Sequence, residues 1–320
     1  MIKISKKNPY TDFSLKDFAE SFGVGKNKIT GECLKLIKKC DFSYRKLSGK
    51  ERDDVVIEIL NKIANDQQKI GSPERRAVWH KGWQENLNEF VQSGCDLEKL
   101  TPKFIRKNQP IRLKGDYVIA RNPQFELDYL SVFRLWLFQE YFKNFDNIYE
   151  FGCGTGFNLV ALSELFPDKS LIGLDFVNSS VELVNKIANS HGIRMRGLLF
   201  YMLKPDMNLT IEKNSLIFTF GVIEQLAGRF EKFLQFVLKK SPKLCVHIEP
   251  IFELYDPNTL PDYLAIKFHQ KRGYSTGFLP RLKQLEKSGK LKILKVKRLF
   301  FGSIFMEGYS LIIWKPKRSF

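Results

Sequence analysis

The spacing of apolar and polar positions changes rhythm near residue 147. Before it, apolar residues recur at helical intervals. In Asp53–Asp66, Val56, Ile59, Leu60 and Ile63 share one stripe. Trp79, Trp83, Leu87 and Phe90 share another, behind Ser72-Pro73-Glu74, where Ser caps a helix and Pro occupies its first turn. The pattern reads Trp79 and Trp83 as core. A helix is predicted over Phe125–Phe142. Its apolar part, Leu130–Phe142, carries Arg134 and Glu140 and falls short of the about 20 residues that cross a bilayer, so it predicts a buried helix. Lys103–Asn122 is richer in Pro, Gly and β-formers and reads as a connector.

From Asn147 short apolar runs alternate with helical stretches. Strands are predicted at Ile148–Phe151, Leu171–Asp175, Gly197–Met202, Ser215–Phe220 and Lys243–Ile248. Helices are predicted at Phe157–Phe166, Ser180–Ser190, Gly228–Leu238 and Leu279–Lys287. Such alternation predicts an α/β fold, a parallel sheet with helices on both faces. Two further strand-like runs, Leu291–Phe301 and Tyr309–Trp314, are joined through Gly302, Ser303 and Gly308 and predict an antiparallel finish. The chain thus divides into a mainly helical region, 1–122, read as a lid or acceptor-binding part, and a second region, 123–320.

Composition narrows the class. With 320 residues, 43% hydrophobic and 27% charged, the chain is of globular type and long enough to bury a core without disulfides. Five scattered cysteines with no C-x-x-C pair argue against a disulfide scaffold or a zinc site; no metal is expected. The opening MIKISKKNPYTDFSL has no apolar core of secretory type. No membrane span and a cytoplasmic location are expected. The formal net charge is +17, with a cluster between Lys267 and Arg298 that makes nucleic acid a conceivable partner. Only 15 of the 52 cations are Arg, the residue that reads phosphates and bases bidentately, which ranks nucleic acid below a small molecule.

The chemistry concentrates in YEFGCGTGFN, Tyr149–Asn158, between a predicted strand and a predicted helix. Gly152, Gly154 and Gly156 permit a tight turn against a ligand, and the helix start offers free N–H groups. A dinucleotide site wants G-x-G-x-x-G, whose third glycine position holds Phe157 here. Glu150, two residues before the first glycine, repels a pyrophosphate and suits a ligand carrying an ammonium and a sulfonium. Asp175 ends the next strand, where a carboxylate can accept both hydroxyls of a ribose, and Phe176 can lie against an adenine.

On these residues the stretch from Asn147 to Pro316 resembles the class I S-adenosylmethionine-dependent methyltransferases. The resemblance implies a Rossmann-like, seven-stranded, mostly parallel sheet with an antiparallel C-terminal hairpin. It implies S-adenosyl-L-methionine as cofactor, with Glu150, Gly152, Gly154 and Gly156 around the methionine part and Asp175 on the ribose. The family often has an acidic residue near the adenine after the third strand. LLFYMLKP places Tyr201 and Met202 there instead, leaving the adenine to these residues or to backbone groups.

Acceptor chemistry is expected beyond the carboxyl ends of the strands. Glu224 follows the fourth strand, and His247 and Glu249 lie at the end of the fifth. Glu249 is the favoured general base for a hydroxyl acceptor, with His247, Glu224 and His269 as its partners. His269 and Tyr274 lie on a segment expected to cover the acceptor or to form a surface helix. His247 also fits a core histidine, and Glu224 and Glu249 also fit structural carboxylates. The expected activity is O-methylation of a sugar or other small hydroxylated metabolite, as in surface-glycan pathways. The alternatives are RNA methylation and a non-catalytic cofactor-binding regulator. The oligomeric state is not legible.

Overall fold

The computed structural model describes residues 9–317; the first eight residues of the opening stretch lie outside them. Seven strands form the main sheet: β5 (Asn147–Phe151), β6 (Ser170–Asp175), β7 (Met195–Leu199), β8 (Ser215–Phe220), β9 (Leu244–Glu249), β10 (Leu291–Lys297) and β12 (Ser310–Pro316). Their order is β10-β12-β9-β8-β5-β6-β7. Strands β7, β6, β5, β8 and β9 are parallel, and β12 inserts antiparallel between β9 and β10. This is the Rossmann-like sheet with an antiparallel hairpin that the resemblance implies. Every residue of β9 is buried, as a central strand covered on both faces requires, whereas β10 alternates buried and more exposed positions as an edge strand does.

The helices that cover this sheet are α5 (Phe125–Leu137), α6 (Phe157–Leu165), α7 (Asn178–His191), α8 (Glu231–Lys240) and α10 (Phe278–Lys287), while Leu264 of α9 (Leu260–Arg272) packs with Tyr117, Val55 and Ile59. Helix α5 is the apolar stretch of the sequence, buried as expected and closed by a wider turn over Phe138–Phe142. On its side, Phe22 stacks on Trp136 at 4.8 Å and Tyr129 on Phe301 at 3.8 Å. The opposite face packs Phe151, Phe200, Phe233, Phe236 and Trp314. Among the described residues no helix is long and apolar enough to cross a membrane.

The N-terminal region is less helical than its spacing predicts. It holds α1 (Leu15–Phe22), α2 (Gly31–Lys39), α3 (Gly49–Asn65) and α4 (Pro73–Gln92), but also β1 (Thr11–Asp12), β2 (Ser43–Lys46), β3 (Ile111–Leu113) and β4 (Asp116–Ala120). These strands and β11 (Phe301–Ser303) form a second, antiparallel sheet in the order β1-β2-β4-β3-β11. The stretch read as a connector is therefore a hairpin. Its turn, Lys114-Gly115, has positive φ at both residues, +54° and +78°, the geometry of a two-residue hairpin loop. Lys in place of the usual Asn or Asp hid that turn. Since β11 comes from the far end of the chain, the two regions share one core.

Four side chains tie them further. Arg112 of β3 is fully buried and donates to the Pro261 carbonyl at 3.0 Å, to Glu307 at 3.1 Å and to Asp262. Arg298 donates to the same acids, at 2.6 Å to each. Two cations and two anions thus balance inside the protein, the condition under which buried charge is tolerated.

Candidate cofactor and acceptor cleft

The hydrogen bonds of the glycine loop begin in the backbone. Gly152 and Cys153 both donate to the Leu174 carbonyl, at 2.6 and 3.1 Å, which folds the end of β5 over β6. Asp175 then accepts from Gly154 N at 3.0 Å and from Val177 N at 3.0 Å, so one carboxylate holds the loop and the start of α7 together. Burial raises its pKa, against these bonds. Ser180 donates to the Gly154 carbonyl at 2.5 Å. The result is a rigid loop at the carboxyl ends of the central strands, where open α/β sheets bind ligands.

A cleft enclosing about 220 Å³ lies over this loop. It is lined by Glu150, Gly152, Gly154, Asp175, Phe176, Tyr201 and Met202, all expected from the sequence to touch a cofactor. Gly156 does not line it; it caps α6 with φ +74°. Glu150 is 1% exposed. Asn158 donates to its Oε1 at 2.7 Å, and Oε2 has no partner. Behind Asn158, the buried Arg134 reaches its side-chain oxygen at 3.3 Å and the Phe157 carbonyl at 3.2 Å, while lying over the Phe157 ring at 3.8 Å. Burial pushes the Glu150 carboxyl up to about 8, partly offset by Asn158 and Arg134. Burial also lowers Arg134 to about 10.

The roof of the cleft is α4. Ser72 caps it by accepting from Arg75 N at 3.3 Å, as expected. Its stripe splits: Leu87 and Phe90 enter the core, whereas Trp79 and Trp83, stacked at 5.4 Å, are half-buried and line the cleft. The reading of both tryptophans as core is thereby corrected. A helical stripe reports only that one face is covered, and here the cover changes from protein to cleft. Arg76 spans the cleft mouth, 3.1 Å from the Tyr201 hydroxyl and 5.2 Å over its ring. His80 packs edge-on against Phe176 at 5.7 Å. Arg75, Arg76, Arg134, Asn158, Gln225 and Arg229 were missed as site residues. For Arg75 and Arg76 the signal was present, two and three positions after the proline of the α4 start.

The four acceptor-side candidates do not line the cleft. Glu249 is fully buried; it accepts from Val222 N at 2.8 Å, from Ile223 N at 3.0 Å and from the Thr219 hydroxyl at 2.5 Å. It therefore holds the turn after β8. Burial raises its pKa, and the Glu224 carboxylate raises it further. His247 Nδ1 is 2.8 Å from the same Thr219 hydroxyl, and its ring stacks with Trp314 at 6.1 Å. The hydroxyl has one proton, given to Glu249, so His247 donates to it. Burial lowers His247 to about 3. Glu224 is buried beside the turn, with Gln225 donating to its Oε1 at 3.1 Å. His269 is fully buried in α9 among Phe252, Tyr255 and Tyr274, while Tyr263, Lys267, Gln270 and Lys271 of the same helix are exposed, so this segment is a surface helix and not a cover for the cleft. Strand alternation and chain position bring these residues near the sheet edge, but they are directed into the protein.

The arginines of the basic cluster are engaged internally. Arg272 pairs with Asp66 at 2.7 Å, Arg281 with Glu231 at 2.7 Å, and Arg298 with Asp262 and Glu307. All five cysteines are free thiols.

No family model and no curated relative matches the sequence. Similar solved structures include PigF with SAH, at 14% identity over 59% of this chain and 59% of that chain, TM-score 0.43. A SAM-dependent methyltransferase from Aquifex aeolicus is 17% identical over 57% of this chain and 88% of that one, TM-score 0.40. The cyclase SpnF is 9% identical over 84% and 95%, TM-score 0.48. The match thus spans less than two thirds of PigF, and these likenesses concern fold at low identity.

Proposed function

We propose that the chain is an S-adenosylmethionine-dependent methyltransferase that O-methylates a small hydroxylated acceptor, of which a sugar is one class. The observation that carries this reading is Glu150: a buried carboxylate with one unpartnered oxygen, lining a cleft over a glycine loop. Such a group fits a cation, and S-adenosylmethionine presents an ammonium and a sulfonium. That cofactor supplies a methyl group activated for displacement by an acceptor oxygen.

The chain's own residues orient the reactants. Glu150 takes the cationic end, Asp175 the ribose hydroxyls, and Phe176, Tyr201 and Met202 the adenine. Trp79 and Trp83 shelter the cleft from water. Glu249, Thr219 and His247 fix the turn carrying Val222 and Gln225 at the acceptor end, as positioning residues. Alignment is the main source of rate in this proposal. The internal pairing of Arg272, Arg281 and Arg298 supports a small acceptor over RNA.

The test is incubation with methyl-labelled cofactor and a fractionated cell extract. Label is expected in the small-molecule fraction. Label confined to RNA overturns the acceptor class. Calorimetry showing NAD binding and no S-adenosylmethionine binding overturns the cofactor.

A further inference from the structure

The acceptor end of the cleft is lined by guanidinium groups without carboxylate partners. Arg75, in the first turn of α4, lies over the Trp79 ring at 4.6 Å. It donates to the Gln68 side chain at 3.0 Å, and its Nε is buried with no acceptor. Of the acids whose charge reaches it, Asp66 is paired with Arg272, while Glu224 accepts from the Gln225 amide on Oε1 and keeps a buried Oε2 without a partner; neither acid is within ion-pair distance of Arg75. Arg229 follows the turn after β8. Its Nε reaches only the Leu226 carbonyl at 3.4 Å, and its Nη2 lies 2.8 Å from where a Cβ on Gly71 would sit. Among the described residues neither arginine has an ion pair, although both line the same cleft. Burial lowers the Arg75 pKa, against the opposing charges of Tyr274, Glu224 and Asp66.

A planar guanidinium with one face on an indole presents its edge, the geometry that matches carboxylate and phosphate oxygens. Gly71 holds φ at +85°, and a Cβ there would meet the end of the Arg229 side chain and displace it. The cleft carboxylates, Glu150 and Asp175, belong to the glycine-loop end. Arg75 and Arg229 add positive charge to a cleft that also holds these two carboxylates, so its ligands can be sorted by sign.

We infer that the methyl acceptor carries an oxyanion, a carboxylate or a phosphate ester, bound by Arg75 and Arg229 and distinct from the hydroxyl that is methylated. This rests on the methyltransferase reading above and narrows it. Each guanidinium donates N–H bonds to the oxyanion, and Trp79, Val222 and Leu226 pack on its apolar part.

The test uses the full chain saturated with S-adenosylhomocysteine and titrated at fixed chloride concentration with phenyl phosphate, benzoate or benzyl alcohol. One of the anions should bind at least about tenfold more tightly than the neutral alcohol, and the tighter one distinguishes phosphate from carboxylate. Arg75→Gln and Arg229→Gln should each remove most of that preference, with S-adenosylhomocysteine affinity within about twofold of wild type. Lys292→Gln, an equal charge change on the exposed side of β10, should leave it intact. Equal binding of all three probes by protein that binds S-adenosylhomocysteine overturns this inference alone. So does a tenfold loss of S-adenosylhomocysteine affinity in the arginine variants, which would assign them to the cofactor. Failure of the folded wild type to bind S-adenosylhomocysteine overturns the methyltransferase reading itself.

Discussion

Asn158 donates its side-chain amide to Glu150 across 2.7 Å, and this bond leaves the other carboxylate oxygen as the free end. Because burial lifts the Glu150 pKa to about 8, the carboxyl holds a proton at neutral pH. A cation binding beside it must expel that proton. Affinity for S-adenosylmethionine should therefore rise with pH, by up to about tenfold per unit below pH 8, and level off above it. Calorimetry between about pH 6.5 and about pH 8.5 reads the slope. Glu150→Gln should bind more weakly and show no slope. A flat wild-type profile would exclude Glu150 as the cation partner.

Gly154 holds φ at +52°, and a Cβ there would lie 2.9 Å from the Trp83 ring. Gly154→Ala thus meets both backbone strain and the roof of the cleft. It should cost about 1–2 kcal/mol of stability and weaken cofactor binding at least about tenfold. Adding Trp83→Ala removes the contact but not the strain, so the double variant should recover only part of the stability. Chemical denaturation and calorimetry on the wild type and the two variants separate the effects. Wild-type binding by Gly154→Ala would remove the loop from the cofactor site.

Glu249 was the favoured base from sequence, and its surroundings now separate two roles. A general base is worth about 10²–10⁴ in rate. A turn-holding carboxylate acts through three donors that its removal leaves without an acceptor. Glu249→Ala should destabilise by about 3 kcal/mol. Glu249→Gln retains one oxygen and should transfer methyl in a single turnover within about tenfold of wild type. A thousandfold drop in Glu249→Gln with intact stability and cofactor affinity would restore the base.

The main sheet was legible because helices separate most of its strands from β5 to β9, β7 and β8 excepted, and β10 and β12 are apolar runs of their own; Gly302 and Ser303, read as their turn, lie instead in β11. The glycine-loop wall of the cleft was legible because its residues are close in sequence and chemically unusual together. The second sheet was not, since its strands are two to five residues long and β11 arrives from residue 301. The acceptor end was misread for a related reason. Periodicity placed His247 and Glu249 at the end of the right strand, but which donors a side chain meets there depends on the Val222–Ile223 turn, 24 or more residues earlier. Arg75 and Arg229 are 154 positions apart and come to line one cleft only through the fold.

Arg112 tests the joint between the small sheet and the rest. It shares Asp262 and Glu307 with Arg298; Arg112 and both acids are buried, and Arg298 is partly so. Removing one cation leaves two acids facing one arginine, so Arg112→Ala should destabilise by about 3–5 kcal/mol. Arg112→Met keeps the stem in place and should cost less. The pH response carries a second signature. Burial raises the Asp262 pKa, but the bonds from Arg298, from Asp256 N and the charge of Arg112 outweigh it, and the net shift is downward. Its contribution is therefore present above the unfolded carboxylate pKa and is lost as pH falls through the lower folded value. In Arg112→Ala this acid-sensitive part should shrink. Urea unfolding at neutral and acidic pH measures both quantities. A variant within about 0.5 kcal/mol of wild type, with an unchanged acid limb, would show that the two sheets hold together without this network.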